Sequence, residues 1–230
     1  MFSRRKTRRT RGRGDNSSSS ISAPVPTGDA SLWFSRMSGS VASTKWFDIT
    51  VNGNDGTPSA AALMGTFQFD GATTEVTTAF AAPLTDNTKP WSLQAWITRD
   101  AAGAMEAFQV RAGDGWVLRD SPIVPADMDF ATFNPFANNT SVFTDLLGGA
   151  WFHIVLTWTP GAPATLLCYL NGVLNATKTP ANYGAGGTLL IGNGANDHWN
   201  GKIDTVRVFS RVLSADEILR DYNAGLPAHP

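Results

Sequence analysis

An all-β sandwich of two antiparallel sheets with one short C-terminal helix is the fold this chain predicts, on three observations. Turn signals recur about every dozen residues, and the runs between them are short and rich in Val, Ile, Phe, Trp and Thr. Eight Trp and thirteen Phe supply the apolar bulk of a two-sheet core. Once an N-terminal polar stretch is set aside, about 200 residues remain, which suits one large β domain.

The elements follow from local pattern. Gly65 to Phe69 predicts a strand with Phe67 and Phe69 on one face and Thr66 and Gln68 on the other. Ser92 to Thr98 alternates Leu93, Ala95 and Ile97 against Gln94 and Trp96. Trp151 to Trp158 is apolar on both faces, as expected in the middle of a sandwich. In Thr165 to Lys178, Asn171-Gly172 sits between two apolar runs; Asn-Gly tolerates the positive φ angles of a type I′ turn, so a tight hairpin is expected. Further strands are expected at Thr188 to Ile191 and Gly201 to Phe209. Asp114 to Asn139 reads as irregular loop over the sheet surface, and loops of that size usually work. A helix over Ala215 to Ala224 begins with the capping box Ser214/Glu217, carries Ile218, Leu219 and Tyr222 as its apolar stripe, and is expected to end with Gly225 in a left-handed conformation.

Charge divides the chain. Arg4, Arg5, Lys6, Arg8, Arg9, Arg11 and Arg13 crowd the first thirteen positions, followed by Asp15 and the run Ser17 to Ser20. Residues 1–20 therefore carry seven bases and one acid, net +6, and the remainder eleven bases and eighteen acids, net −7, which together give the overall −1. A block of this density binds phosphate by releasing condensed counterions, so nucleic acid is the leading partner. A secretory or twin-arginine signal would need an apolar stretch after the charges, and a mitochondrial presequence an amphipathic helix; neither is present. The expected organisation is an Arg-rich arm at 1–20, a Ser/Pro linker at 21–31, a folded domain at 32–226 and a tail at 227–230. One cysteine, Cys168, excludes an intrachain disulfide, and its neighbours Leu166, Leu167 and Leu170 predict a buried strand position. No apolar window reaches the length of a membrane span.

The order of motifs resembles a laminin-G-like, concanavalin A-like jelly roll. The first half rests on Asn52-Gly-Asn-Asp-Gly-Thr57, Phe67-Gln-Phe-Asp-Gly71 and Trp91-Ser-Leu-Gln-Ala-Trp-Ile97. The second rests on Trp151-Phe-His-Ile-Val155, Tyr169-Leu-Asn-Gly172, Ile191-Gly192, Gly201-Lys-Ile-Asp-Thr-Val-Arg-Val208 and Leu213-Ser-Ala-Asp-Glu-Ile218. The resemblance runs from about Leu32 to Gly225 and implies two curved sheets whose concave face and rim loops are available to glycans or proteins. The arm lies outside it and resembles those of viral capsid proteins.

No catalytic residue is assigned. Glycoside hydrolysis needs two carboxylates about 5 to 10 Å apart; Asp127-Met-Asp129 has the spacing of a strand pair but falls in a Pro-rich stretch, and the closely spaced strand carboxylates of related glucanases have no counterpart. His153, His198 and His229 show neither zinc nor triad spacing. No cofactor and no metal site is assigned, with calcium left open: Asp48, Asn52, Asn54 and Asp55, and separately Asp114, Asp127 and Asp129, are sets of oxygen donors, although such residues mostly make turns. For glycans, Trp116 and Trp199, with Asn196 and Asp197 beside the latter, are the candidates for stacking and hydrogen bonding. Asn-x-Ser/Thr triplets at Asn16, Asn138, Asn139 and Asn175 do not arbitrate.

Two functions follow. The first is a structural virion protein, a capsid or capsid-decorating subunit. Its arm binds packaged nucleic acid or neighbouring shell subunits, its jelly roll forms the outer, glycan-accessible surface, and copies assemble as homo-oligomers. The alternative is an extracellular glycan-binding or adhesion module. Neither is an enzyme.

Overall fold

A computed structural model of the chain describes residues 29–34, 45–59, 67–103, 105–122, 124, 126–133, 137–193 and 197–230, with 111 and 137–139 described by their backbone alone. The seven cationic residues Arg4 to Arg13, the linker before Asp29, Asn16, Gly65, Thr66, Asn196 and the side chains of Asn138 and Asn139 lie outside the described residues.

Fourteen strands are described: β1 (Ala30–Trp33), β2 (Gly56–Pro58), β3 (Gln68–Asp70), β4 (Val76–Thr78), β5 (Trp91–Ile97), β6 (Glu106–Ala112), β7 (Asp114–Asp120), β8 (Met128–Phe133), β9 (Ala137–Phe143), β10 (Phe152–Thr159), β11 (Thr165–Leu170), β12 (Val173–Lys178), β13 (Leu189–Ile191) and β14 (Asn200–Phe209). They form two antiparallel sheets. The first has the order β1-β14-β5-β10-β11-β12, with β3 also on β14; the second has the order β2-β4-β13-β6-β7-β8-β9. β1 and β2 thus share one lateral edge of the sandwich. At the other, β12 meets β9 through Asn175, whose Nδ2 donates to Val142 O at 2.8 Å.

The core lies between the sheets. Leu93, Ala95 and Ile97 of β5 face it, as the alternation predicted. The opposite face of β5 is buried as well, because helix α1 (Ala215–Gly225) covers Gln94 and Trp96. Trp91 and Trp158 are cross-strand neighbours and stack at 6.1 Å between ring centroids, and Trp116 from the second sheet stacks on Trp91 at 5.3 Å. The Trp91 indole N–H donates to the Tyr183 hydroxyl at 2.8 Å, so even the polar tip of this column is satisfied. Cys168 is buried, and burial pushes its thiol up to about 12.

The Asn171-Gly172 hairpin forms with φ of 51° and 79° at the two residues, the type I′ geometry. The capping box forms too: Ser214 Oγ accepts from Glu217 N, and Glu217 Oε2 accepts from Ser214 N at 2.9 Å. Three expectations are corrected. Gly225 has φ −83°, and the chain runs on into a 3₁₀ turn at Leu226–Ala228. Glycine is required there by packing, since a Cβ would sit 2.5 Å from the Trp96 indole nitrogen. Asp114 to Asn139 is not loop but holds β7, β8 and the start of β9. Asp129 accordingly stands in a strand, with Asp127 one residue before it.

Candidate glycan-binding face

The two sheets treat their outer faces differently. On the first, a β-bulge at Asp204 to Arg207, with Thr205 at φ 53°, shifts the alternation so that Arg207 points outward and Val206 into the core. Arg207 Nη1 donates to Asp221 Oδ2 of α1 at 3.1 Å, both side chains being buried, and Gln94 Nε2 donates to the same oxygen at 3.2 Å. Trp96 is stacked by Tyr222 and by His229, and both His229 ring nitrogens meet acceptors, Gly225 O at 2.9 Å and Asp204 Oδ2 at 3.0 Å. Burial, with the Arg207 and His229 charges behind it, lowers His153 to about 3, so it is a neutral structural group. That face is filled by the chain's own C-terminal segment.

The outer face of the second sheet carries a polar row. In β7, Trp116 and Leu118 point into the core, so Val117 and Arg119 point out. Register then aligns Glu106 of β6, Arg119 of β7, Asp129 of β8 and Ser141 of β9. A parallel bridge brings His198 beside Glu106. A second row aligns Leu190, Gln109, Val117 and Ala131. At about 4.8 Å between strands, the Glu106 and Asp129 backbones are about 10 Å apart, with Arg119 between them. Glu106 and Asp129 are each 2 % exposed.

Burial pushes the Asp129 carboxyl above the usual carboxylate range. A hydrogen bond from Ser121 and the Arg119 charge oppose the rise, and the Asp127 charge adds to it. Next to it, Asp120 is pushed up to about 6, again by burial first, despite its 2.6 Å contact with Arg99 and the N–H of Gly103. Among the described residues, Asp129 Oδ1 and His198 Nδ1 have no hydrogen-bond partner, and both atoms are buried, so a ligand hydroxyl reaches them only when neighbouring side chains move aside. Alternating acceptors and a guanidinium along one strand-spanning row suit the vicinal hydroxyls of a sugar.

Trp116 and Trp199, expected as stacking residues, are corrected. Both are fully buried, with indole N–H groups donating to Leu84 O at 3.0 Å and to Thr98 O at 3.1 Å. Trp116 is turned inward by β7 and Trp199 lies inward just before β14, leaving no ring face for a sugar. Asp197 belongs to the segment that lines the row, its carbonyl accepting from Glu106 N at 2.9 Å. Glu106, Gln109 and Arg119 were missed, and Asp129 and His198 were weighed only for catalysis or metals; the alternation of Trp116 and Leu118 against Val117 and Arg119 was the available signal. Asp48 does not fit calcium. Its oxygens accept from Trp33 N, Thr50 N, Thr50 Oγ1 and Asn54 N at 2.9 to 3.1 Å, the donor pattern of a turn. Among the described residues no group of three or more His, Cys, Asp or Glu could hold a metal.

The family profile described as the concanavalin A-like lectin/glucanases superfamily matches residues 69–219. This chain belongs to that superfamily. No curated protein matches it in sequence. Among solved structures, it is similar to the binding domain of botulinum neurotoxin serotype D (12 % identity, TM-score 0.62, 85 % of this chain and 52 % of that one). It is also similar to the serotype D ligand binding domain in complex with N-acetylneuraminic acid (12 %, 0.63, 85 % and 51 %). A third is the binding domain of Paraclostridial Mosquitocidal Protein 1 (12 %, 0.59, 85 % and 52 %). The chain spans about half the length of each, and at this identity the likeness is one of fold. Among the described residues no helix is long and apolar enough to cross a membrane.

Proposed function

We propose that this chain is a subunit of a virus particle that binds glycans through the outer face of its second sheet and packaged nucleic acid through residues 1–20. The observation that carries it is the joining of a +6 arm to a −7 lectin-like sandwich whose second sheet carries a polar row that α1 does not cover. Glycan binding is supported by the row of Glu106, Arg119, Asp129 and His198, and by a solved neighbour bound to a sugar acid. No catalysis is assigned, because Arg119 stands in register between the two carboxylates, where the scissile bond would have to lie.

The full chain on a glycan array should give hits that Arg119→Ala removes; no hit overturns the glycan reading. For the arm, nucleic-acid affinity should fall with salt at a log–log slope of about −5 to −6, for roughly seven cations at 0.7 to 0.9 each, and a variant with all seven replaced by Ala should lose it. A flat response overturns the phosphate reading. The extracellular adhesion module, favoured by the toxin binding domains among the neighbours, would keep its glycan hits and show that flat response.

A further inference from the structure

The segment Lys45 to Asp55 turns Trp46 and Asp48 inward and Phe47, Ile49 and Val51 outward, at 43 %, 48 % and 104 % exposure. A loop that presents three large apolar side chains to water is here held rigid. Trp46 and Gly56 exchange two backbone bonds of 2.8 Å, Ile49 N donates to Trp33 O, and Asn52 Nδ2 donates to Ser31 O. The four bonds to Asp48 close the turn from inside, and Asp55 Oδ1 accepts from Asp48 N. The one cation of the ridge, Lys45, is matched by Asp55 at 3.3 Å. The result is a preorganised apolar ridge on the β1/β2 edge, whose charges, Lys45, Asp48 and Asp55, are held in internal contacts. A contiguous exposed apolar feature of this kind marks an interaction surface.

The far edge of the first sheet is its counterpart. β12 ends the strand order there, and its first two residues, Val173 and Leu174, are 65 % and 49 % exposed. β1 differs in having its own edge occupied by the ridge loop, through Trp33 N to Asp48 and Ile49 N to Trp33 O. One lateral edge thus ends in an apolar ridge and the other in an apolar strand start paired with β11 on one side only, about 24 Å away across five strand spacings.

We propose that copies of this chain associate head to tail, with the Phe47–Ile49–Val51 ridge of one copy seated on the Val173–Leu174 edge of the next. Charge selects this arrangement over a two-fold ridge-to-ridge pair. The arm joins the domain at β1, whose Ser31 carbonyl is bonded to the ridge loop. A two-fold pair therefore roots two +6 arms at one junction, whereas head-to-tail contact roots one +6 arm beside a −7 body. Head-to-tail contacts do not close on themselves in pairs and so build rings or open arrays, as a particle-forming subunit requires.

Sedimentation equilibrium of the nuclease-treated full chain over a concentration series tests this. Wild type should grow beyond dimer, and Val51→Asp and Val173→Asp should each be monomeric; both positions are exposed, and unchanged near-ultraviolet circular dichroism will verify the fold, with Ile49→Lys as a second ridge variant. Mixing the two monomeric variants should give a one-to-one dimer and nothing larger, since each retains the end the other lacks. A wild type that stays monomeric, a mixture that forms no dimer, or loss of association with Val51→Asp but not Val173→Asp overturns the proposal. Ridge-dependent sedimentation of a monomeric chain with phosphatidylserine vesicles overturns it in favour of a lipid partner. Glycan-array hits should survive in both variants, so failure here and failure of the glycan reading are separately visible.

Discussion

The outer faces of the two sheets arise from the same strand alternation and end in opposite conditions. On the first sheet the outward groups are covered by α1 or the segment after it: Arg207 and Gln94 meet Asp221, Trp96 meets Tyr222 and His229, and Asp204 meets His229, although Gln94 Oε1, His153 Nδ1, Thr157 Oγ1 and Arg207 Nε keep no partner of their own among the described residues. On the second, the outward groups form a row whose Asp129 and His198 retain unpartnered atoms among the described residues. A closed polar network contributes stability and loses it when one member is removed, whereas an open one holds binding capacity that can be removed at little cost to the fold. Substitutions on the two faces should therefore separate stability from binding.

The largest effect belongs to the covered face. Asp221→Ala leaves the Arg207 guanidinium buried without its counter-charge and removes the acceptor of Gln94, a loss of about 3 to 5 kcal/mol. Chemical denaturation should show it as a lowered midpoint, and glycan affinity of the remaining folded fraction should be unchanged. A drop below about 1 kcal/mol would mean that α1 is not what closes this face.

Gly225→Ala comes next. The added Cβ would overlap the Trp96 ring, with contacts of 2.5 to 2.7 Å, although φ −83° suits any residue. Overpacking of this kind costs about 1 to 3 kcal/mol. Were glycine required here only for its backbone conformation, alanine would be tolerated at φ −83° and the thermal midpoint would hold.

This glycine illustrates how much could be read from the chain. Gly225 was legible as the helix end but not in its reason, because the indole it accommodates comes from β5, more than a hundred residues earlier. The Asn171-Gly172 turn, the Ser214/Glu217 box and the buried Cys168 were legible because their physics is local. The polar row was not. Its members sit on four strands and a bridging segment, and only register aligns them. Reading Asp114 to Asn139 as loop hid two of those strands, since its Gly, Pro and Asn content masked the alternation that places Trp116 inward and Arg119 outward. Aromatic residues near turns then looked like sugar platforms, whereas the interior had claimed them.

A pH measurement sharpens the boundary between the faces. Asp120 binds its proton more tightly in the folded state, at about 6 against an ordinary 3.8, so its contribution to stability falls as pH rises from about 4 to about 6 and is level above. Glu217 acts in the opposite sense and lower down. Its bonds from Arg211 hold it at about 2, so stability is lost as pH falls from the ordinary carboxylate range toward that value. Denaturation midpoints of wild type should thus decline across the window from about 4 to about 6, and Asp120→Asn should flatten that decline while lowering stability throughout by leaving Arg99 unpaired. An unchanged slope would place the titrating group elsewhere.

The smallest effect on stability is also the most informative. Asp129→Asn keeps the size and the hydrogen bond with Ser121, whose hydroxyl can donate to the amide oxygen as it does to the carboxylate. It removes a charge that burial disfavours and leaves Arg119 with Glu106 as its cross-strand neighbour. Stability should shift by less than about 1 kcal/mol. Glycan affinity should nevertheless fall about tenfold or more, because a charge-assisted bond to a sugar hydroxyl is worth about 1.5 to 3 kcal/mol. Equal affinity with equal stability would move the binding surface off this row. A large loss of stability would make the row a structural network like the one beneath α1, and the contrast between the two faces would disappear.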